Sequence, residues 1–255
     1  MGLALAGDKE SPPSDQGDLF GASIDLTVDS AQASLPAHKV DHLSSGLKQV
    51  LSANSLTPAG AAMWRGRLGF AQSLMFGRMG RSLLRPFSAR QYADGVSRTW
   101  AISDDLKEVS PWRIARLPNP TSRRVSVADQ APVLVYTDAS GECHVGCIVF
   151  IDGVRPMAHT HVPDWMRSLL PGTFEYELRA TIFGLAVATE LATGRAVFLC
   201  CDNMGAIGTV VRGARRTRLG RTLVSVFWTI AATYGTTVWA EYVASKLNCS
   251  DAPSR

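Results

Sequence analysis

Apolar positions change their period several times along this chain, and the changes mark out its parts. Residues 1–18 (MGLALAGDKESPPSDQGD) hold no sustained period and are rich in Gly, Pro, Ser and Asp, so they read as a flexible lead-in. LFGASIDLTVDSAQASL alternates and reads as one or two short strands. Behind Pro36, the residues Val40, Leu43, Leu47, Val50 and Leu51 recur at helical spacing on one face. Thr57-Pro58 offers a capping hydroxyl and a proline for the first helical position, which predicts a helix running through AAMWRGRLGFAQSLMF. A further, arginine-rich helix is predicted over 78–98. Gly66, Gly69, Gly77 and Gly80 cost this stretch helix propensity, which fits close approach of another backbone or a phosphate. Residues 103–130 carry Ser110-Pro111, Pro118 and Pro120 and read as a connector with little regular structure, apart from a short helix near 104–109.

From Pro132 the pattern becomes strand-like. VLVYTDAS reads as a buried strand, HVGCIVFI as a second, and Asp152-Gly153 as a hairpin turn into a third, VRPMAHTH. Residues 162–172 read as loop, and FEYELRATIFGLAVATEL as a helix with a wide apolar face, ended by Gly194. RAVFLCCD is a fourth strand, 203–213 a short helix, 216–234 a longer one and TTVWAEYV a fifth strand. The division is therefore a lead-in (1–18), strands and a helical segment (19–102), a connector (103–130) and an α/β domain (131–255).

Composition is that of a globular chain, with 46% apolar and 19% charged residues among 255. The formal charge of +4 says little, but its distribution says more. Between Trp64 and Trp100 stand seven arginines (65, 67, 78, 81, 85, 90, 98) and one acid, Asp94; between Val211 and Thr222 stand five (212, 215, 216, 218, 221) and none. Arginine suits phosphate, although either cluster alone reads equally as a solvated helical face. Five cysteines without a CxxC, two of them inside an apolar run, argue for a reducing, intracellular compartment (cytoplasmic or nuclear) and against a disulfide or zinc framework. His159 and His161 alternate on one side of a strand and read as a surface pair. No apolar span reaches the length of a membrane helix, and the N-terminus lacks a signal-type core.

The candidate chemistry lies in four acids: Asp138, Glu177, Asp202 and Asp251. Each stands where a strand ends or a helix begins. Hard oxygen ligands converging there suit Mg²⁺ or Mn²⁺, and a pair of such ions serves phosphodiester hydrolysis. The bland reading makes Asp138 a turn-forming residue and Asp251 a helix N-cap. Glu175 and Glu177 lie about 200° apart around a helix, so only one faces a common site. Glu177 shares its side with Ala180, Phe183 and Gly184, which favours it. Ser140, Asn203 and Asn248 stand near the acids as candidate supporting or substrate contacts, and Asn203 can also cap the helix after it.

The strand order with acids at those places resembles the ribonuclease H fold. YTDAS, the ELxA beginning at Glu177, the strand-terminal DN at 202–203 and the terminal NxxDAxSR resemble the ribonuclease H domain of retroelement reverse transcriptases. LTPAGAAMWRGRLGFAQSLMFGRMGRSLLRPF resembles the thumb-like helices ahead of that domain, and LFGASIDL the strands that end the polymerase palm. The resemblance covers about residues 19–255 and implies a mixed five-stranded sheet with flanking helices. It implies two Mg²⁺ (or Mn²⁺) ions, with Asp138 shared between them, Glu177 and Asp202 completing one and Asp251 the other. The implied substrate is the RNA strand of an RNA–DNA hybrid, held by Ser140, Asn203, Arg212, Arg215, Arg216, Arg218, Arg65, Arg78 and Arg81.

The sequence also departs from that pattern. It has no aromatic-x-Asp-Asp hairpin, so polymerase activity is not expected. It ends four residues after Asp251, before a closing helix, and the loop EYVASKLNCSD lacks the histidine many ribonucleases H place there. A catalytically degenerate, nucleic-acid-binding remnant is the alternative. An integrase or resolvase on the same fold is a third reading, disfavoured by the fourth acid and the thumb-like prefix.

Overall fold

The computed structural model describes residues 14–93, 100–117, 122–126, 130–141, 143–168 and 172–254. The alternating N-terminal segment folds as three strands: β1 (Gln16–Leu19), β2 (Ala22–Leu26) and β3 (Ser30–Ser34). β1 thus begins inside the segment read as a flexible lead-in. Antiparallel pairing continues from β3 to β4 (Arg123–Ser126), with Ala31 opposite Val125.

β4 corrects the reading of 103–130 as irregular. So does a helix much longer than the one expected there (Asp104–Arg116, α4 below). Ser103 caps that helix by accepting from the Leu106 amide at 3.4 Å; Asp104 and Asp105 occupy its first turn, Arg113 and Arg116 its last. Those charges complement the helix dipole, and the helix runs through Pro111. A four-residue strand is too short for its period to show, and β4 is defined by a partner about ninety residues earlier.

The helical layer starts with α1 (Ala37–Ala53) and α2 (Pro58–Ser73), the latter capped by Thr57 on the Gly60 amide at 3.1 Å. The single helix expected over 78–98 is broken instead. A turn through Gly77 and Gly80, both left-handed (φ +56° and +75°), leads into a 3-10 turn (Arg81–Leu84) and α3 (Arg85–Gln91), and α4 follows. Residues 94–99 of that span lie outside the described residues. Gly77 answers a packing demand: a Cβ there would lie 2.4 Å from the Trp228 ring. Leu47, Leu68, Phe87 and Leu106 are sealed between these helices.

The second sheet contains β5 (Val133–Ala139), β6 (His144–Phe150), β7 (Met157–His161), β8 (Val197–Cys201) and β9 (Val238–Tyr242). Its order is β7-β6-β5-β8-β9, antiparallel on the β7 side and parallel from β5 through β8 to β9. Asp152 and Gly153 (φ +48° and +82°) turn the β6–β7 hairpin as the dipeptide predicted. A single helical turn, α5 (Asp164–Arg167), lies in the expected 162–172 loop. α6 (Thr173–Leu191) packs on β5, β6 and β8, joined by α7 (Met204–Arg212) and α8 (Arg218–Thr233). Val133, Val135, Cys147, Val149, Leu199 and Phe227 are fully buried in this core. It also takes in Met75, Phe76 and Met79 from the turn after α2. No described helix is long and apolar enough to cross a membrane.

Candidate active site and nucleic-acid interface

The parallel pairing of β5 with β8 builds the site. Thr137 and Cys201 are register partners, so the next residue on each strand, Asp138 and Asp202, emerges side by side at the carboxyl end of the sheet. Crevices at that end of parallel strands are where ligands of α/β sheets sit. α6 brings the third acid. Gly184 presses on β5 so closely that a Cβ would lie 2.3 Å from the Thr137 methyl. Glu177, two turns earlier on the same face, therefore reaches the end of the sheet.

Glu177 is buried, and its carboxylate lies within 4.8 Å of ligand atoms of both Asp202 and the Cys201 thiol. Cys201 Sγ donates to Glu177 Oε2 at 3.8 Å. Burial, then the charges of Asp138 and Asp202, push the Glu177 carboxyl up to about 8. Asp138 is also buried and also raised, first by desolvation and then by Asp202 and Asp251, while a hydrogen bond from the Ser254 hydroxyl lowers it. Asp251 is exposed in a 3-10 turn (Cys249–Asp251), yet its charge is felt at Asp138. Glu177 and Asp202 thus lie together with Cys201, and Asp138 and Asp251 stand near enough for charge to be felt, Asp138 at Glu177 and Asp251 at Asp138.

Like charges held together in a partly dry setting are costly unless protonated or neutralised. The donor set is mostly carboxylate oxygen, which suits a hard divalent cation. Burial raises the Cys201 thiol far above its ordinary range, so it stands as a hydrogen-bond donor to Glu177 rather than a thiolate ligand. Two candidate supporting residues are engaged locally. Ser140 Oγ accepts from the His144 amide at 3.3 Å, and Asn203 Oδ1 caps α7 through the Ala206 amide at 3.0 Å. Sequence reasoning passed over Cys201 and Ser254. The signal for the second was already in NxxDAxSR, whose serine closes on Asp138.

The two arginine clusters, about 130 residues apart in sequence, meet. Arg65, Arg81 and Arg85 from one, and Arg212, Arg215 and Arg216 from the other, line a single cleft of about 760 Å³. Arg215 stacks on Phe174 at 4.0 Å from the ring centroid. Phe174 stands three residues before Glu177, and a Cβ on Gly205 would touch both Phe174 and Asn203 Oδ1. Arg215 therefore ties one wall of the cleft to Phe174, on the first turn of the helix that carries Glu177. Two further arginines of the second cluster pair with α4: Arg218, still largely exposed, with Glu108 at 2.7 Å, and Arg221, almost wholly buried, with Asp105 at 2.8 Å. Arg78 packs on Gly213 and lines a separate groove beside Trp239 and Tyr242.

Strand order, crossover and acid placement define a ribonuclease H-like fold. The sequence matches no protein-family profile and no curated protein. Among solved structures it is similar to the N-terminal RNase H domain of a Mycobacterium tuberculosis protein, at 14% identity over 49% of this chain and 91% of that one, with a TM-score of 0.38. LC11-RNase H1, solved with an RNA/DNA hybrid, gives 13% identity over 48% and 92%, with a TM-score of 0.40. A foamy viral protease-reverse transcriptase, solved with dsDNA, gives 14% identity over 93% of this chain but only 47% of its own length, with a TM-score of 0.38. The chain thus spans about half of that viral protein. At such identities and scores none of their activities or residue roles transfers to this chain.

Proposed function

We propose that this chain is a divalent-metal-dependent nuclease that cuts the RNA strand of RNA–DNA hybrids, as part of a retroelement reverse transcriptase. The observation that carries this reading is the register of β5 on β8, which brings Asp138 and Asp202 out at the same end of the sheet, while α6 delivers Glu177 to Asp202. Asp138, Glu177, Asp202 and Asp251 are the residues that would hold Mg²⁺ or Mn²⁺. When bound, two such ions supply an activated water and stabilise the leaving oxygen. The protein's part is to converge the carboxylates, shed the Glu177 proton as cations arrive, and fix the substrate backbone. The six-arginine cleft supplies the last of these by neutralising phosphates. Discrimination of hybrid from duplex DNA rests on contacts to 2′-hydroxyl groups.

The test is cleavage of an end-labelled hybrid with Mg²⁺ or with EDTA, for the unsubstituted chain and for Asp138→Asn. The replacement keeps the shape of the side chain and removes its charge. The expected result is metal-dependent RNA cleavage that Asp138→Asn abolishes, with binding in EDTA kept. One feature favours the alternative, a nucleic-acid-binding remnant: the arginine cleft is complete without any of the acids. Tight hybrid binding by both proteins with no cleavage by either selects that alternative.

A further inference from the structure

The C-terminal segment is fastened over the end of β5 by its polar side chains rather than its apolar ones. Asn248, Ser250 and Ser254 are buried, whereas Cys249, Asp251 and Ala252 face outward. Asn248 Nδ2 donates to the Thr137 carbonyl at 3.0 Å, one residue before Asp138. Its Oδ1 accepts from the Ser250 hydroxyl at 2.6 Å and from the Ser250 amide at 3.4 Å. The Ser254 amide donates to the Ser250 carbonyl at 3.2 Å. The Ser254 hydroxyl then donates to Asp138 Oδ2, and the Asp251 carbonyl lies 3.1 Å from Ser254 Oγ. A hydroxyl carries one proton, and a carboxylate is the stronger acceptor.

β6 leaves room for this arrangement. Gly146 is the register partner of Asp138, and a Cβ there would lie 2.7 Å from the Pro253 carbonyl carbon and the Ser254 amide nitrogen. Those are backbone atoms, so no rotamer change relieves the clash. The bare glycine therefore lets residues 253–254 cross the sheet edge beside Asp138.

We propose that Ser254 is a positioning residue for the carboxylate cluster. Its hydroxyl fixes one oxygen of Asp138 and so the orientation of the carboxylate, and it ties the turn carrying Asp251 to β5. Gly146 and Asn248 hold it there. The inference rests on the cation-binding role proposed above. It adds that the acids are aligned before any cation arrives, by a hydrogen bond that spans 116 residues of sequence.

The probe is Mn²⁺ alone, titrated calorimetrically into the full chain without nucleic acid, with the melting temperature in EDTA measured beside it. Ser254→Ala removes only the hydroxyl. It is expected to weaken Mn²⁺ binding about tenfold, the scale of one charge-assisted hydrogen bond, and to keep the melting temperature within about 3 °C. Gly146→Ala displaces the same residue by a different route and is expected to give a similar loss of Mn²⁺ affinity. Mn²⁺ affinity unchanged in both variants overturns the positioning role and leaves the proposed activity standing. A large fall in melting temperature with Mn²⁺ affinity kept assigns Ser254 to stability alone and also overturns it. Failure of the unsubstituted chain to bind Mn²⁺ overturns the proposed activity and this role together.

Discussion

Glu177 holds its proton because burial and the charges of Asp138 and Asp202 outweigh the hydrogen bond from Cys201. Its folded carboxyl titrates at about 8, against an ordinary value of 4.5. Between those values the folded protein binds a proton that the unfolded chain has released. Without metal, stability from this group is therefore full below about pH 4.5 and drains away as pH climbs toward 8. The loss is on the order of a few kcal/mol. Melting curves in EDTA from pH 5 to 8 should show the decline, and Glu177→Gln should flatten it. Mg²⁺ should raise the melting temperature more at pH 8 than at pH 6, since the cation competes with that proton. Asp138 and Asp202 were legible in the sequence because each follows an apolar run that has to end, and Glu177 because it stands early on a helix with a wide apolar face. Ser254 stood in the motif NxxDAxSR, but its role did not show there, because its partner Asp138 lies on β5, 116 residues away.

Elements show the same division between local and remote causes. Helices with a cap and a stripe were readable: Thr57 before α2, Asn203 before α7, and the apolar face of α6. β4 and the break in the 78–98 helix were not, since one needs β3 as a partner and the other needs Trp228 to press on Gly77. α6 offers the sharpest test at this scale. Gly184 lets the helix touch Thr137 and Val135, and that contact sets the depth of Glu177. Gly184→Ala should lift the helix and cost about 1–3 kcal/mol of stability. It should also weaken Mn²⁺ binding although it touches no carboxylate. Denaturant unfolding and cation titration on the same protein check both parts, and unchanged cation affinity would show that the helix position does not govern the site.

For the whole molecule, the meeting of the arginine clusters matters most. Composition gave two basic stretches and left open whether either was more than a solvated face. The fold sorts them by position, some lining one cleft and others paired with α4. Replacing Arg65, Arg81, Arg215 and Arg216 together by alanine should weaken hybrid binding and flatten its salt dependence, because fewer counterions are released. Arg221 should behave differently. Its side chain is almost wholly buried against Asp105, so Arg221→Ala should lower the melting temperature by leaving that contact between α8 and α4 broken. Filter binding across a salt series, beside a melting curve for each variant, separates the two kinds of arginine.

The turn after α2 sends Met75, Phe76 and Met79 into the core beneath the second sheet. That placement bears on how the protein can be dissected. A cut at residue 130 follows the change of pattern in the sequence and keeps all five strands of that sheet, yet it removes three side chains from the interior and bares the Trp228 ring that rests on Gly77. Autonomy of folding and continuity of sequence therefore part company here. A piece beginning at 131 should melt below the intact chain and bind a hydrophobic dye that the intact chain does not. It would also carry only one bank of the arginine cleft, so a nucleic acid laid along it would be gripped from one side and free to pivot about the carboxylates.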